Sequence, residues 1–450
     1  MKKGVLWVLL ICIFACCKKS NNNGAATTPP PTATDTSFTG VPDVKDIVMY
    51  EVNFRAFSAA DNFAGVEARL DSIKALGVNV IWLMPTYPVG PDNSPYCVED
   101  YRLVNPEFGT LGDLQAFVSM AHAKGMAVIL DWVTDGTSFN SIWIALGNKS
   151  WYLLDASGQI EPMATYNDIA ALNYNNTTME ATLIQDMEYW IQTANVDGFR
   201  CDNADNDPES FWTMALDSLA KMNRKLVLLA ESNNTNKFAS GFQMDYGWNY
   251  LSALTSVFGS GASAAKLGSA NAAENAGTLP GTYMLRMTSN HDIDRSSGTP
   301  LQLFGGIQGS LAAYVLTATM GGVPLIYDGQ EVGCPLSLQI FNTSTVIDWT
   351  ANNSMSGAYE QIIAFRNAND AVKEGAITLY GSNDVAVYEK TIAGDTALVI
   401  VNVRNTTETY ALDAPLQNTA WYDGLNNNTT LILGTSVSLA PYGYMLLKKQ

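Results

Sequence analysis

The chain has 450 residues, of which 47% are hydrophobic, and its formal net charge is −18. This length and hydrophobic content suffice for two or three domains with large cores. The acidic balance argues against nucleic acid or an anionic membrane surface as a partner, whereas neutral ligands such as sugars remain compatible with it. The six Cys do not make a disulfide framework in a chain this long, and no CxxC pair or His/Cys cluster suggests zinc.

The N-terminal segment is typical of an export signal. A basic start precedes an apolar run at residues 5–15, which is too short to stay in a bilayer as a helix. Residues 13–16 read Ile-Phe-Ala-Cys and resemble a bacterial lipoprotein cleavage box. We therefore predict a lipoprotein signal peptide over residues 1–16, lipidation of Cys16, and a membrane-anchored protein in the periplasm or at the cell surface. An ordinary secretory signal is the alternative. Residues 17–40, rich in Asn, Thr and Pro, predict a flexible linker.

From residue 41 onward, short apolar runs alternate with amphipathic helical patterns. This alternation predicts parallel strands with right-handed helical crossovers, as in a (β/α)8 TIM barrel over residues 41–133 and 176–375. The strand patterns lie at residues 48–54, 78–84, 127–133, 196–202, 225–231, 242–246, 283–290 and 323–328, and the clearest helical patterns at residues 65–76, 110–124, 179–194, 208–222 and 359–369.

Two further regions interrupt or follow this alternation. Residues 134–175 contain no clean strand–helix unit, so they mark a small insertion after the third strand. Residues 376–450 change to short alternating strands, which predict a C-terminal antiparallel β domain.

Three acids stand at the C-terminal ends of three predicted strands, which is where barrel enzymes place their chemistry. Asp202 closes the run VDGFRCD, Glu231 closes KLVLLAE, and Asp292 follows YMLRMTSNH. Arg200 lies two residues before Asp202 and therefore on the same face of its strand. A structural ion pair would explain one such acid, but four residues at matched strand ends favour a glycosidase-type site.

These motifs resemble those of the alpha-amylase family of glycoside hydrolases. GFRCD, LLAES and TSNHD follow DWV in the order and spacing of that family, and the resemblance covers the chain from about residue 47 onward. It implies that Asp202 is the nucleophile and that Glu231 is the general acid and then the base. It also implies that Asp292 binds sugar hydroxyls and that Arg200 holds Asp202 ionised, since a nearby guanidinium lowers the pKa of a carboxylate.

The resemblance implies further contacts in the first sugar subsite. His291 should donate hydrogen bonds to sugar hydroxyls, Tyr96 should stack on the sugar, and Asp131 should support the floor of the site. A loop anchor remains the alternative for Tyr96. The other histidine, His122, lies within a predicted helix, where we expect a structural role.

Two departures from the family pattern matter for function. The motif that begins at Asp131 normally ends in Asn-His, but here it ends in Asp135-Gly136, so one sugar-binding His is absent. A lost contact of this kind costs about 1–3 kcal/mol, or one to two decades in rate. The family's calcium ligands correspond to Asp135, Ala171 and Asn206. Asp135 and Asn206 keep oxygen atoms that suit calcium and are the candidate ligands, whereas Ala171 offers only its backbone carbonyl.

The sequence thus predicts an exported, lipid-anchored, monomeric enzyme that hydrolyses alpha-1,4-glucosidic bonds in starch-like alpha-glucans or maltooligosaccharides with retention of configuration. A related maltodextrin-acting hydrolase or transglycosylase is one alternative, because specificity lies in loops. A weakly active or inactive glucan-binding protein on the same scaffold is another. The departures at Gly136 and Ala171 favour it slightly, and the complete set of acids opposes it.

Overall fold

In the computed structural model, residues 37–164, 166–342 and 345–449 are described. The predicted signal peptide, Cys16 and most of the predicted linker lie outside these residues. Within them, eight parallel strands close into a barrel, which confirms the predicted fold class. Around the barrel the strands follow the order β1-β10-β9-β8-β7-β6-β3-β2, and they are β1 (Met49–Val52), β2 (Val80–Leu83), β3 (Ala127–Trp132), β6 (Gly198–Cys201), β7 (Val227–Ala230), β8 (Met244–Tyr246), β9 (Tyr283–Arg286) and β10 (Val323–Tyr327).

Side chains alternate between the inside and the outside of the barrel along each strand, as the two-residue period requires. In β1, Met49 packs in the apolar cluster that fills the barrel, whereas Tyr50 and Val52 pack in the larger cluster between the strands and the outer helices. Glu51 therefore lies on the inner face of β1, near its C-terminal end. The interior of the barrel therefore contains a buried carboxyl group on β1.

The outer helices occupy most of the predicted positions, with two differences. The pattern at residues 65–76 forms two short helices, because the backbone at Arg69 leaves the helical region between them. The last barrel helix begins at Asn353, since the Asn352 side chain caps it by accepting from Met355 N. The helices are α1 (Phe54–Phe57), α2 (Phe63–Glu67), α3 (Leu70–Ala75), α4 (Leu111–Ala123), α5 (Ile142–Ala145), α6 (Thr177–Thr193), α7 (Glu209–Ala220), α8 (Trp248–Gly259), α9 (Ala265–Asn275), α10 (His291–Ser296), α11 (Pro300–Leu303), α12 (Gly306–Thr319), α13 (Asn353–Asn367) and α14 (Asp370–Glu374).

The insertion between β3 and α6 is small and contains one short antiparallel pair, β4 (Gly136–Ser138) with β5 (Ile169–Ala171). After α14 the chain forms the expected antiparallel β region. A six-stranded sheet has the order β11-β12-β13-β18-β15-β16, and β14 pairs with β17 beside it. These strands are β11 (Ala376–Gly381), β12 (Val385–Ile392), β13 (Asp395–Asn402), β14 (Glu408–Ala411), β15 (Ala420–Asp423), β16 (Thr429–Ile432), β17 (Ser436–Leu439) and β18 (Tyr444–Lys449).

His122 has the structural role expected of it. Its Nε2 lies 2.7 Å from Asp197 Oδ2, and its ring stacks on Phe38 at a centroid distance of 4.2 Å. Asp197 also accepts from Val128 N, so this contact ties α4 to β3 and to the start of β6. Among the described residues, no helix combines the length and apolar character needed to cross a membrane.

Candidate active site

Adjacent parallel strands bring the predicted acids to one level at the C-terminal end of the barrel. Asp131 on β3 is in register with Arg200 on β6, and Arg200 is in register with Leu229 on β7. Backbone hydrogen bonds continue this register past the strand ends, from Asp202 N to Trp132 O and from Glu231 N to Cys201 O, each 2.9 Å. Asp202 and Glu231 therefore emerge side by side into the same cleft.

Arg200 is the cation at the centre of these acids. Its side chain is fully buried, and its Nη1 lies 2.8 Å from Asp131 Oδ1 and 2.6 Å from Asp202 Oδ1. Its Nη2 lies 2.7 Å from Glu231 Oε2. The guanidinium thus donates hydrogen bonds to Asp131 and Asp202, and it forms an ion pair with Glu231. Because Asp131 and Arg200 have no exposed surface, they act on the other acids and do not contact a substrate directly.

The charges of this cluster set its protonation. Burial raises the pKa of Asp202 well above its usual value, the contact with Arg200 lowers it, and the nearby Glu231 and Asp131 raise it again. One guanidinium compensates only one of three carboxylates, so the ionisation of one acid opposes that of the others. Burial thus favours the protonated form of Asp202, and Arg200 is the group that favours the carboxylate form, in which Asp202 can act as a nucleophile.

Asp292 differs from the other two acids, because three cations surround it and 40% of its side chain is exposed. Burial raises the pKa of Asp292, but His291, Arg200 and Arg295 outweigh this effect and leave the pKa below its usual value. Arg295 Nη2 lies 3.2 Å from Asp292 Oδ1. The group is thus an ionised, accessible carboxylate, which is suited to accept hydrogen bonds from sugar hydroxyls.

His291 and Tyr96 lie together at the wall of the cleft. Their rings stack at a centroid distance of 5.3 Å, and Tyr96 Oη lies 2.8 Å from His291 Nε2. Tyr96 Oη also lies 3.2 Å from Asp131 Oδ2, which ties this wall to the buried cluster. Both residues line the cavity with the three acids, so the structure brings every predicted sugar contact except the buried Arg200 and Asp131 to the surface of one cleft.

The cleft has a volume of about 280 Å³. Besides the predicted residues, Tyr166 and Ile169 from the inserted segment line it, as do Ile340 and Phe341 from the segment after β10. Tyr166 is half exposed, and Arg295 lies over the Phe341 ring at 5.6 Å. These side chains form apolar and aromatic walls around the acids, a combination typical of sugar sites.

The structure gives a steric reason for the departure at Gly136. This residue pairs with Ala171 in the β4–β5 ladder. A Cβ atom here would lie 2.4 Å from Ile169 Cγ2 and 2.5 Å from the backbone oxygen of Ala170. The side chain of Ile169 therefore occupies the space that a side chain at position 136 would need, and the backbone of Ala170 lies close to the glycine.

We expect Gly136→His to lower stability without raising activity. The added side chain overpacks a backbone contact, which costs about 1–3 kcal/mol, and thermal unfolding together with kcat/KM on starch measures both effects. Gly357→His is the matched control, because a Cβ on this α13 glycine meets nothing within 4 Å, so the same substitution there should not lower stability and should leave kcat/KM unchanged. A Gly136→His variant that folds as well as the parent and hydrolyses starch faster would contradict this steric account.

The predicted calcium ligands do come together, but they do not fit calcium. Asp135 Oδ2 accepts hydrogen bonds from the side-chain amides of Asn203 and Asn206, at 2.7 and 2.9 Å. The Ala171 carbonyl is taken by Leu153 N. One carboxylate oxygen remains without a partner, whereas calcium takes six to eight oxygen ligands. Burial raises the pKa of Asp135 to about 6. The reaction proposed below assigns no role to calcium.

Sequence reasoning missed several residues that shape the site. Asn203, in the left-handed conformation with φ 45°, donates its backbone N–H to Glu231 Oε2 at 2.8 Å. Its position just after Asp202 was a usable signal, because Asn tolerates this conformation better than most residues. Glu51, an acid in an otherwise apolar strand, was another. Tyr246, which accepts from Arg200 Nε at 3.1 Å, and Tyr166 carried no local signal that separates them from core or loop aromatics.

Comparisons with known proteins agree with this fold. The model of the alpha-amylase catalytic domain matches residues 19–150. The alpha-amylase MalA of Haloarcula japonica is 25% identical over 84% of this chain, and the cyclomaltodextrinase of Thermoanaerobacter pseudethanolicus is 25% identical over 75% of it. The chain spans 58% and 62% of these relatives' lengths. The structure of the maltogenic alpha-amylase AmyB of Thermotoga neapolitana superposes with a TM-score of 0.82 at 22% identity, and covers 91% of this chain and 99% of that one.

Proposed function

Because the chain belongs to the alpha-amylase family of glycoside hydrolases, we propose that it hydrolyses alpha-glucosidic bonds in alpha-glucans with retention of configuration. Starch-like polysaccharide and maltooligosaccharides are the proposed substrates, and the alpha-1,4 bond is the proposed linkage. The observation that carries this proposal is the convergence of Asp202, Glu231 and Asp292 around the buried Arg200 in one cleft.

The surroundings of each acid suit one step of the proposed reaction. Asp202, held by Arg200, attacks the anomeric carbon and forms a glycosyl-enzyme bond while the glycosidic bond breaks. Glu231 gives its proton to the departing oxygen and later takes a proton from the water that hydrolyses the intermediate. Asn203 N and Arg200 Nη2 fix the Glu231 carboxyl group for both steps. Asp292, ionised and exposed, accepts sugar hydroxyls and favours the distorted ring of the transition state.

The direct test is the release of reducing ends from soluble starch and from maltooligosaccharides by the full chain, with the anomer of the first product followed by NMR. We expect the alpha anomer to form first, since two displacements retain configuration. We also expect a chelator to leave the rate unchanged, because the Asp135 site does not fit calcium. Initial formation of the beta anomer would exclude the glycosyl-enzyme route.

A second candidate is a glucan-binding protein of low or no activity, and Gly136 is the observation that favours it. The apolar Ile169 occupies the space beside this position, so the cleft lacks one polar sugar contact. Binding to insoluble starch without release of reducing ends from any alpha-glucan would support this second candidate. Transglycosylation would instead appear as the formation of larger oligosaccharides. Hydrolysis of short or cyclic maltodextrins would appear as activity confined to those substrates.

A further inference from the structure

Glu51 is a buried acid in contact with His291, and the proposed chemistry does not use it. Its side chain has no exposed surface, and its Oε1 lies 2.5 Å from His291 Nδ1. The other oxygen, Oε2, is buried without a hydrogen-bond partner among the described residues. An acid in this setting is costly unless its charge is compensated. His291 is the cation in contact with it, so the two residues form a buried pair between β1 and α10.

A proton count along the chain of contacts gives the state of His291. Burial raises the pKa of Glu51, and the contact with His291 lowers it. In its ionised form Glu51 only accepts, so Nδ1 of His291 then donates to it. At the other side, Nε2 lies 2.8 Å from Tyr96 Oη, and this hydroxyl lies 3.2 Å from Asp131 Oδ2. The phenol has one proton. When Tyr96 donates it to Asp131, its oxygen accepts from Nε2, and both ring nitrogens of His291 carry protons.

We propose that Glu51 is a positioning residue that holds His291 as an imidazolium, with Nε2 directed toward Tyr96 and the cleft. Glu51 cannot touch a substrate, because it lies beneath His291 on the inner face of the barrel. It acts through the histidine, which in turn stands 3.5 Å from Asp292 Oδ2 and keeps that carboxylate ionised. The state of His291 is independent of the substrate, whereas its effect on turnover rests on the proposed function.

The charges around His291 agree with this state. Burial lowers the pKa of the imidazole, but the carboxylates of Asp292 and Glu51 outweigh it, and the pKa lies above its usual value. The nearby guanidinium of Arg200 lowers the pKa of His291. Across all the elements packed against the ring, the titratable groups that face it are Glu51 on β1, Tyr96 after β2, Asp131 on β3, Arg200 on β6 and Asp292 on α10.

The chain has two histidines, so NMR of histidine-labelled protein observes the proposed state directly. In the full chain at pH 7 we expect both nitrogens of His291 to be protonated, and His122→Asn assigns the signals. Glu51→Gln keeps the shape but removes the charge, and it should move the titration midpoint of His291 to lower pH by roughly 1–3 pH units. The alkaline limb of kcat/KM should move in the same direction, so that the activity deficit of the variant shrinks toward acid pH.

Glu331→Gln is the matched control. Glu331 is also buried, and it accepts from Tyr50 Oη at 2.7 Å on the other face of β1, so the same substitution there should leave His291 unchanged. An unchanged midpoint in Glu51→Gln would overturn the proposal. If Glu51→Gln does not fold, NMR of the parent protein still tests the proposal, because a neutral His291 at pH 7 would contradict the proposed role. Failure of the proposed function would appear differently, as a charged His291 in a protein that hydrolyses no glucan.

Discussion

Asp202→Asn should abolish turnover on every glucan substrate, with a loss of about four orders of magnitude or more in kcat. The amide keeps the size of the side chain and part of its contact with Arg200, but it cannot form the glycosyl-enzyme bond. Because Arg200 also holds Asp131 and Glu231, the fold should tolerate this change. Initial rates on starch, together with thermal unfolding of the same preparation, separate a lost nucleophile from a lost fold.

Glu231→Gln should show a different pattern, because its role depends on the leaving group. On starch the loss of the general acid should reduce the rate roughly 10²- to 10⁴-fold. On a maltooligosaccharide with a nitrophenol leaving group, the first bond breaks without a proton, so bond cleavage should remain and the glycosyl-enzyme should accumulate. A burst of nitrophenol followed by slow turnover is the expected trace.

The two variants together test the assignment of roles. Asp202→Asn should show no burst with either substrate, and Glu231→Gln should show one with the activated substrate alone. If both variants lost activity equally on the two substrates, the division into nucleophile and general acid would be wrong, although both residues would remain essential. Full activity in either variant would move the reaction to other groups in the cleft.

The barrel could be predicted because its signals are local. Apolar runs such as those at β2 and β7 are buried on both faces, and the helices between them repeat with their own period. The acids at the strand ends could be placed for the same reason, since parallel strands bring their C-terminal ends to one rim. Strand limits were predicted one to four residues too long, because the predicted runs include residues that lie before or after the hydrogen-bonded strand.

The depth and contacts of the site could not be predicted in the same way. The motif at Gly136 showed that a side chain was missing, but not that Ile169, 33 residues later, fills the space through the β4–β5 pair. Likewise, Arg200 was expected to act on Asp202 alone, and the structure has it in contact with Asp131 and Glu231 as well. Such contacts depend on the register between strands that are distant in sequence, which no local pattern encodes.

Arg200→Met should lower both stability and activity more than any other single change in the floor of the cleft. The variant leaves three carboxyl groups facing one another without their cation. Removing one partner of a buried ionic network costs about 3–5 kcal/mol. Arg200 lowers the pKa of Asp202, so without it Asp202 should stay protonated to higher pH. The acid limb of the kcat profile should therefore move to higher pH, in addition to the loss in kcat.

The sign of the pH effect on stability follows from the same charges. Burial gives Asp202 a folded-state pKa above its unfolded value, and loss of Arg200 raises it further. Such a group favours the folded state fully at pH below the unfolded pKa of about 4, and this contribution is lost as pH rises through the folded pKa. The destabilisation of Arg200→Met should hence be small in acid and grow toward neutral pH. Urea unfolding at several pH values measures this difference.

Arg286→Met is the matched control, because it also removes a buried arginine from its acid partner. Arg286 bonds Glu274 and Asn271 on α9, outside the cleft. It should cost comparable stability while kcat below the unfolding range stays that of the parent. Arg200→Lys is a complementary test, since it keeps the positive charge but loses the planar guanidinium. Relative to Arg200→Met, we expect it to restore stability more than activity. If Arg200→Met and Arg286→Met reduced kcat equally, Arg200 would be a structural residue, and its contacts with three carboxyl groups would have no catalytic meaning.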